Sequence, residues 1–346
     1  MLFALPIAWL TIALGTSHPA RQPSSAIITV TDAGTLNPLT NADVTDLQSG
    51  QHRFTDELGH ARLPWPSDGR LRLRVREIGY EPVQRTLERS VASDQSPTFM
   101  LSKVAYVISS VKSTSHCATT ADSASLALSV AVLEQLKQGA EKYNDFRRLY
   151  PFEATVERRT ARIPEIGEVK KIIGETQKLR SDSWERPYSP GNIVEYNRDG
   201  SFWAPILFMS TLADSVFWEN HCFVARGVES YQGLRAIRLA FSPNSQVHGP
   251  DWEGSAVLDS ATSYLLRVDF QLVNLDRHRD LTRLDGYQTF TSASPFVIIP
   301  DSTIVIWWTR KPDAEQGWGK PDFVQSVHVD SLKYRRAKPP DQHAHD

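Results

Sequence analysis

The 346-residue chain sets 38 basic against 40 acidic residues, a formal charge of −2, so no net field steers it towards nucleic acid. Its length suits two domains, and 21 prolines, 18 glycines and abundant Thr, Val and Ser favour short strands and frequent turns over long helices. Two cysteines without Cys-x-x-Cys or Cys-x-x-His spacing supply too few clustered ligands for zinc.

The chain opens with an apolar run from Leu2 to Leu14. It is too short for a spanning helix, which needs roughly 20 residues, and it fits the core of a secretory signal with Ala13 and Gly15 as a small-x-small cleavage site. Residues 1–20 are therefore expected to be a signal peptide. The mature chain is expected to be exported to the periplasm, the envelope or the medium, and not to be transmembrane after cleavage. In that oxidising compartment a cysteine pair forms a disulfide.

From residue 24 to 104 the pattern is strand, turn, strand. Ile28 and Val30 alternate with threonines, and D-A-G-T-L-N-P-L brings turn chemistry. T-D-E-L-G-H is a second turn, and R-L-R-L-R-V-R from Arg70 to Arg76 has a period of 2. Gly34 and Gly59 suit turns that need positive φ, and Gly79-Tyr80 breaks the long strand. The succession V-T-D-A-G-T-L-N-P-L-T-N-A-D-V, F-T-D-E-L-G-H-A-R-L and L-R-V-R-E-I-G-Y-E-P resembles the carboxypeptidase regulatory-like domain. That resemblance implies a prealbumin-like, seven-stranded β-sandwich serving as a non-catalytic accessory module.

Residues 105–122 are Ser/Thr-rich and read as a linker carrying Cys117. Between Ser123 and Tyr150, Leu126, Val130, Leu133, Leu136, Ala140, Tyr143 and Phe146 fall at helical spacing and predict one long helix with a single apolar stripe. Strands follow: 152–160, 168–176, the Cys222 segment F-W-E-N-H-C-F-V-A, 231–241, a hairpin from Asp251 with its turn at Asp259–Ser263, then 302–310 and 323–334. The second domain is thus expected over 123–337 as a helix packed on an antiparallel sheet, and 338–346 as a disordered tail. This half is similar to secreted bacterial proteins that carry a regulatory-like domain. Its hairpin E-G-S-A-V-L-D-S-A-T-S-Y-L-L-R-V-D-F resembles the half-barrels of outer-membrane lipoprotein carriers.

In a strand, His221 and Cys222 point to opposite faces and do not share a proton or a metal. Three readings of Cys117 and Cys222 stand: a disulfide, two buried thiols, or a reactive site. The disulfide needs only export and proximity. A zinc carboxypeptidase would need His-x-x-Glu, which no histidine here supplies, and G-x-S-x-G is also missing. No enzyme activity, metal or cofactor is expected.

Two features could bind a partner. Arg70, Arg72, Arg74 and Arg76 share one strand face and could hold carboxylates or phosphates. Trp203, Trp252, Trp307 and Trp308 belong to a set of seven tryptophans in the second half, and such rings stack on sugars or line lipid cavities. The reading is a non-catalytic exported protein that binds a glycan or protein partner. The alternative is a lipid or lipoprotein carrier with an apolar cavity under the 123–150 helix, and a hydrolase is the third possibility.

Overall fold

The computed structural model describes residues 25–89, 96–104, 117, 123–164, 172–183, 185–198, 202–276, 281–294, 297–309 and 321–335. The expected signal, nearly all of the linker and the tail lie outside them. The chain is mainly β: seven strands form a two-sheet sandwich, and one long helix then packs on a nine-stranded sheet.

The sandwich comprises β1 (Ser25–Asp32), β2 (Asp43–Asp46), β3 (His52–Phe54), β4 (His60–Pro64), β5 (Arg70–Arg76), β6 (Val83–Glu88) and β7 (Thr98–Leu101). One sheet runs β4-β1-β7, with β1 and β7 parallel, and the other runs β3-β2-β5-β6. Ile28, Val30, Leu71, Leu73, Val75 and Phe99 meet between the sheets and exclude water. Asp56 closes its turn by accepting from the amides of Leu58 and His60. Gly59 is obligatory there: its φ is +74°, and a Cβ would stand 2.4 Å from Val30 O. At the first turn the positive φ falls on Leu36 rather than on Gly34, because Asp32 takes the amides of Gly34 and Thr35 and shapes that loop itself.

Helix α1 (Ser123–Leu149) carries Arg147 and Arg148 in its last turn, where they complement the helix dipole, and it stops just ahead of Pro151, which disfavours helix before it. The second body continues with β8 (Phe152–Arg162), β9 (Ile172–Arg180), β10 (Glu195–Tyr196), β11 (Phe202–Trp203), α2 (Met209–Leu212), α3 (Ser215–Asn220), β12 (His221–Tyr231), β13 (Leu234–Pro243), β14 (Asp251–Asp259), β15 (Leu265–Val273), β16 (Arg283–Ser294), β17 (Val297–Trp308) and β18 (Phe323–Tyr334). Every pairing in the large sheet is antiparallel, in the order β12-β13-β14-β15-β16-β17-β18-β8-β9. Helix α1 touches β12, β13 and β14 and also β17, so the sheet curls round the helix as a half-barrel. Gly254 and Gly286 let neighbouring strands approach closely, since a Cβ would stand 2.0 Å from Asp269 O at the first and 2.6 Å from Ile304 O at the second. A Cβ at either would meet a ring on its own face, Phe241 at 2.9 Å and Phe270 at 2.6 Å.

Two expectations change. Phe217, Trp218, Glu219 and Asn220 are helical rather than extended, because Asp214 accepts from Val216 N and caps α3; the strand begins at His221. The apolar stripe of α1 also shifts. Val130 is 55% exposed, whereas Val132 is fully buried with Leu136, Ala140 and Phe146.

Cys117 and Cys222 are disulfide-bonded, with Cα atoms 5.6 Å apart and a sequence separation of 105. Closing a loop of that length removes unfolded-chain entropy worth about 4–5 kcal/mol in the chain-entropy model. The Cys117→Ser/Cys222→Ser variant should lose roughly that much in urea denaturation. A loss below about 1 kcal/mol would mean that the bond constrains little.

Candidate functional site

Two places gather the side chains that could act: the apolar interior between α1 and the large sheet, and the polar seam between α1 and the sandwich.

In the interior, Leu239, Phe241, Trp252, Leu258, Val268, Phe270, Leu284 and Val305 of the sheet meet Val132, Leu136 and Ala140 of α1 in one buried cluster. Beside α1, further cover comes from the described residues at 185–198 and 202–213, which add Ile193, Leu207, Met209 and Leu212, and from Phe217 of α3. Among the described residues the interior is closely packed. The cleft against Leu136 and Tyr143 holds about 10 Å³, and a second, of about 30 Å³, reaches Trp252 between Tyr188 and Phe208. Each has room for about one or two waters, so neither of these clefts among the described residues is the apolar cavity expected under the helix.

The aromatic expectation is corrected accordingly. Trp252 is 2% exposed and packs edge-on against Phe270. Trp307 faces the interior cluster, and Trp308, on the opposite face, is buried with Arg283 4.6 Å above its ring. Trp203 alone of the four is exposed, with the Arg186 guanidinium 5.9 Å from its ring. A shared sugar-stacking platform is not assembled by these four.

The arginine row is split as well. Arg70 is exposed and 3.5 Å from Glu88, and Arg72 is exposed. Arg74 is half-buried, and Arg76 is buried because α1 lies over its end of the strand. Arg76 donates to Asp43 at 2.6 Å and also pairs with Glu141 of α1. Next to it, Lys142 of α1 donates to both carboxylate oxygens of Glu77 at 2.8–2.9 Å, with both side chains largely buried. Gln135 closes the other end: it accepts from Gly79 N at 2.7 Å and donates to Tyr80 O. These sandwich contacts turn the polar face of α1 into an interior.

An open cleft of about 340 Å³ runs along this seam, lined by His52, Arg74, Arg76, Glu141, Asp145 and Arg148 among others. Burial, the largest influence on Asp43, pushes its carboxyl up, but His52 and Arg76 override it and hold it down at about 2. His52 lies between two carboxylates, its Nδ1 3.7 Å from Asp43 Oδ1 and 3.5 Å from Asp145 Oδ2. Sequence reading singled out Arg74 and Arg76 but missed Asp43, His52, Glu141, Asp145 and Arg148. The available signal was a second stripe on α1, polar, at Gln135, Gln138, Glu141, Lys142 and Asp145, which ordinarily marks a solvated face.

His221 and Cys222 do separate to opposite faces. The ring of His221 is stacked on Phe217 with centroids 3.9 Å apart, and its two nitrogens lie 2.9 Å from Phe217 O and 2.8 Å from Trp252 O. Burial pushes this imidazole towards its neutral form and Asp251, 3.6 Å away, pushes back. The carbonyls of Phe217 and Trp252 oppose the shift as well, but burial outweighs all three and the imidazole is held below its ordinary pKa. Asp251 in turn accepts from Tyr188 Oη, Gly191 N and Trp252 N. With both side chains fully buried, the pair anchors α3 and the 185–213 segment to the sheet.

No protein-family model matches the chain, and no curated protein matches it. Among solved structures it is similar to a domain described as an outer membrane lipoprotein-sorting protein domain from Vibrio parahaemolyticus, at 13% identity and a TM-score of 0.32, covering 59% of this chain and 95% of that one. It is also similar to a DUF1329 family protein from Desulfovibrio piger, at 11% identity and a TM-score of 0.31, again covering 59% and 95%. Scores this low do not establish a shared fold. Among the described residues no helix is long and apolar enough to cross a membrane.

Tyr143 sits where the main cluster meets the smaller one around Phe146 and Phe152, and burial pushes its hydroxyl up to about 12. Its folded pKa lies above its unfolded value, so the stability it contributes is complete below pH 10 and is lost as pH rises from 10 to 12. Tyr143→Phe should abolish roughly 2 kcal/mol of that alkaline loss in denaturant titrations at pH 9 and 12. An unchanged alkaline profile would place the titrating group elsewhere.

Proposed function

We propose that the protein is an exported, non-catalytic carrier. Its half-barrel holds an acyl chain of an envelope lipid or lipoprotein, and its sandwich is an accessory module related to the carboxypeptidase regulatory-like domain. The observation that carries this reading is the continuous apolar concave face of the large sheet, covered by α1 and by the irregular 185–213 segment. A glycan or protein partner held by stacked tryptophans or by the arginine row has lost its support, because Trp252, Trp307, Trp308 and Arg76 are committed to packing.

Loading through these clefts must displace side chains, since each holds only a water or two. Helix α1 is poorly placed to move. Near its first turn the Cys117–Cys222 bond ties the chain to β12, and the sandwich grips its outer face. The 185–213 segment is the freer cover. Among its described residues the strand pairing is the two-residue pair of β10 and β11, and the cleft that reaches Trp252 opens along it. Withdrawal of Leu207, Met209 and Leu212 would open a slot against Trp252 and Phe270.

A dansyl-labelled undecanoic acid tests the reading. Burying about ten methylenes at ~0.8 kcal/mol each gives about 8 kcal/mol, or a Kd near 1 μM before the cost of opening. The expected result is saturable one-to-one binding at roughly 1–100 μM, with energy transfer from tryptophan and displacement by lysophospholipid. Probe fluorescence that stays unsaturated and is not displaced would overturn the carrier reading.

A further inference from the structure

We propose that Asp43, His52 and Asp145 form a binding site for a divalent transition-metal ion of the zinc or manganese class, shared between the sandwich and α1. It is independent of the carrier reading. One oxygen of each aspartate and a histidine nitrogen lie within 4.8 Å of one another. Ligand atoms around a four-coordinate ion at ~2.1 Å stand about 3.4 Å apart, so no pair in the cluster needs to close by more than about 1.4 Å. His52 is 6% exposed, and its Nδ1 is buried without a hydrogen-bond partner, aimed between the two carboxylates. Asn144 Oδ1 on the same cleft is also buried and unpartnered, and the open volume beside it admits water to complete the coordination.

The donor set suits such an ion. One imidazole with two carboxylates satisfies zinc or manganese, whereas magnesium and calcium favour oxygen alone. Asp43 is already ionised: its Oδ2 accepts from Arg76, while Oδ1 faces His52 and accepts from Thr45 Oγ1 at 3.0 Å. The competitor is Arg148. Its Nη2 lies 2.6 Å from His52 Nε2 and donates to Asp145 Oδ1 at 3.0 Å. A guanidinium only donates, so His52 Nε2 accepts and the ring proton sits on Nδ1. Metal on Nδ1 needs the opposite tautomer, with Nε2 protonated, and Arg148 must then leave the ring. Its side chain is 65% exposed, so it can swing into solvent. The ion would thus replace one proton and one arginine and would clip β2 and β3 to α1.

The test is isothermal titration of Zn²⁺ and Mn²⁺ into the full chain after chelator stripping, with circular dichroism to confirm that each variant is folded. Wild type should bind one ion, and His52→Gln and Asp145→Asn should each abolish that binding. Arg148→Gln should bind about tenfold more tightly, a gain that loss of folding cannot mimic. Heat that persists in both ligand variants would come from elsewhere, the H-A-H-D stretch at His343 and His345 included, and would overturn the site. So would the lack of any stoichiometric binding, and an unchanged Arg148→Gln isotherm would overturn the competition.

Discussion

The architecture depends on Arg76, a guanidinium buried at the end of a sandwich strand and shared between Asp43 of its own sheet and Glu141 of α1. A lone charge at that depth would cost several kcal/mol, so the two carboxylates are a condition of its burial. The Lys142–Glu77 pair repeats the arrangement one residue along α1. Burial pushes the Glu77 carboxyl up, and the Lys142 ammonium beside it opposes the shift. Such pairs add little net stability when intact, but removing one member costs about 3–5 kcal/mol. They therefore specify how the sandwich docks more than they strengthen the docking.

That docking changes what α1 can do. A helix over a half-barrel is the natural lid of an apolar chamber, but here it is held on three sides. The large sheet takes its apolar stripe, the sandwich takes its polar stripe, and the disulfide ties down the chain near its first turn. The part left to move on the proposed reading is the described cover at 185–198 and 202–213, whose anchor is the buried His221–Asp251 pair and the Tyr188 hydroxyl bonded to it. On the proposed reading, ligand entry and the seam are separate functions of opposite faces of one helix.

The sandwich was largely legible in the sequence because its strands are half-buried and alternate: Leu71, Leu73 and Val75 fall on one face with no exception. The long helix, the Asp259–Ser263 hairpin and the Cys117–Cys222 bond were legible for similar local reasons. Strand β16 was missed. Gly286, Thr289, Thr291 and Ser292 dilute its apolar signal, and its place in the sheet is fixed by neighbours on both sides. The arginine row misled because a period of 2 identifies a face but not what covers it. The seam was illegible for the same reason: a polar stripe on a helix reads as solvated until a second body supplies matching charges, here Glu77 and Arg76.

The central claim is that paired buried charges fasten α1 to the sandwich, and a double-mutant cycle on Lys142 and Glu77 tests it most directly. The two side chains meet across the seam, so denaturation of Lys142→Met, Glu77→Leu and the double variant isolates their coupling. Each single change should cost about 3–5 kcal/mol by stranding the other charge. The double variant should recover most of that loss, giving a coupling of at least about 2 kcal/mol. Additive losses with a coupling near zero would contradict the account, because the two modules would then rest against each other without being fastened.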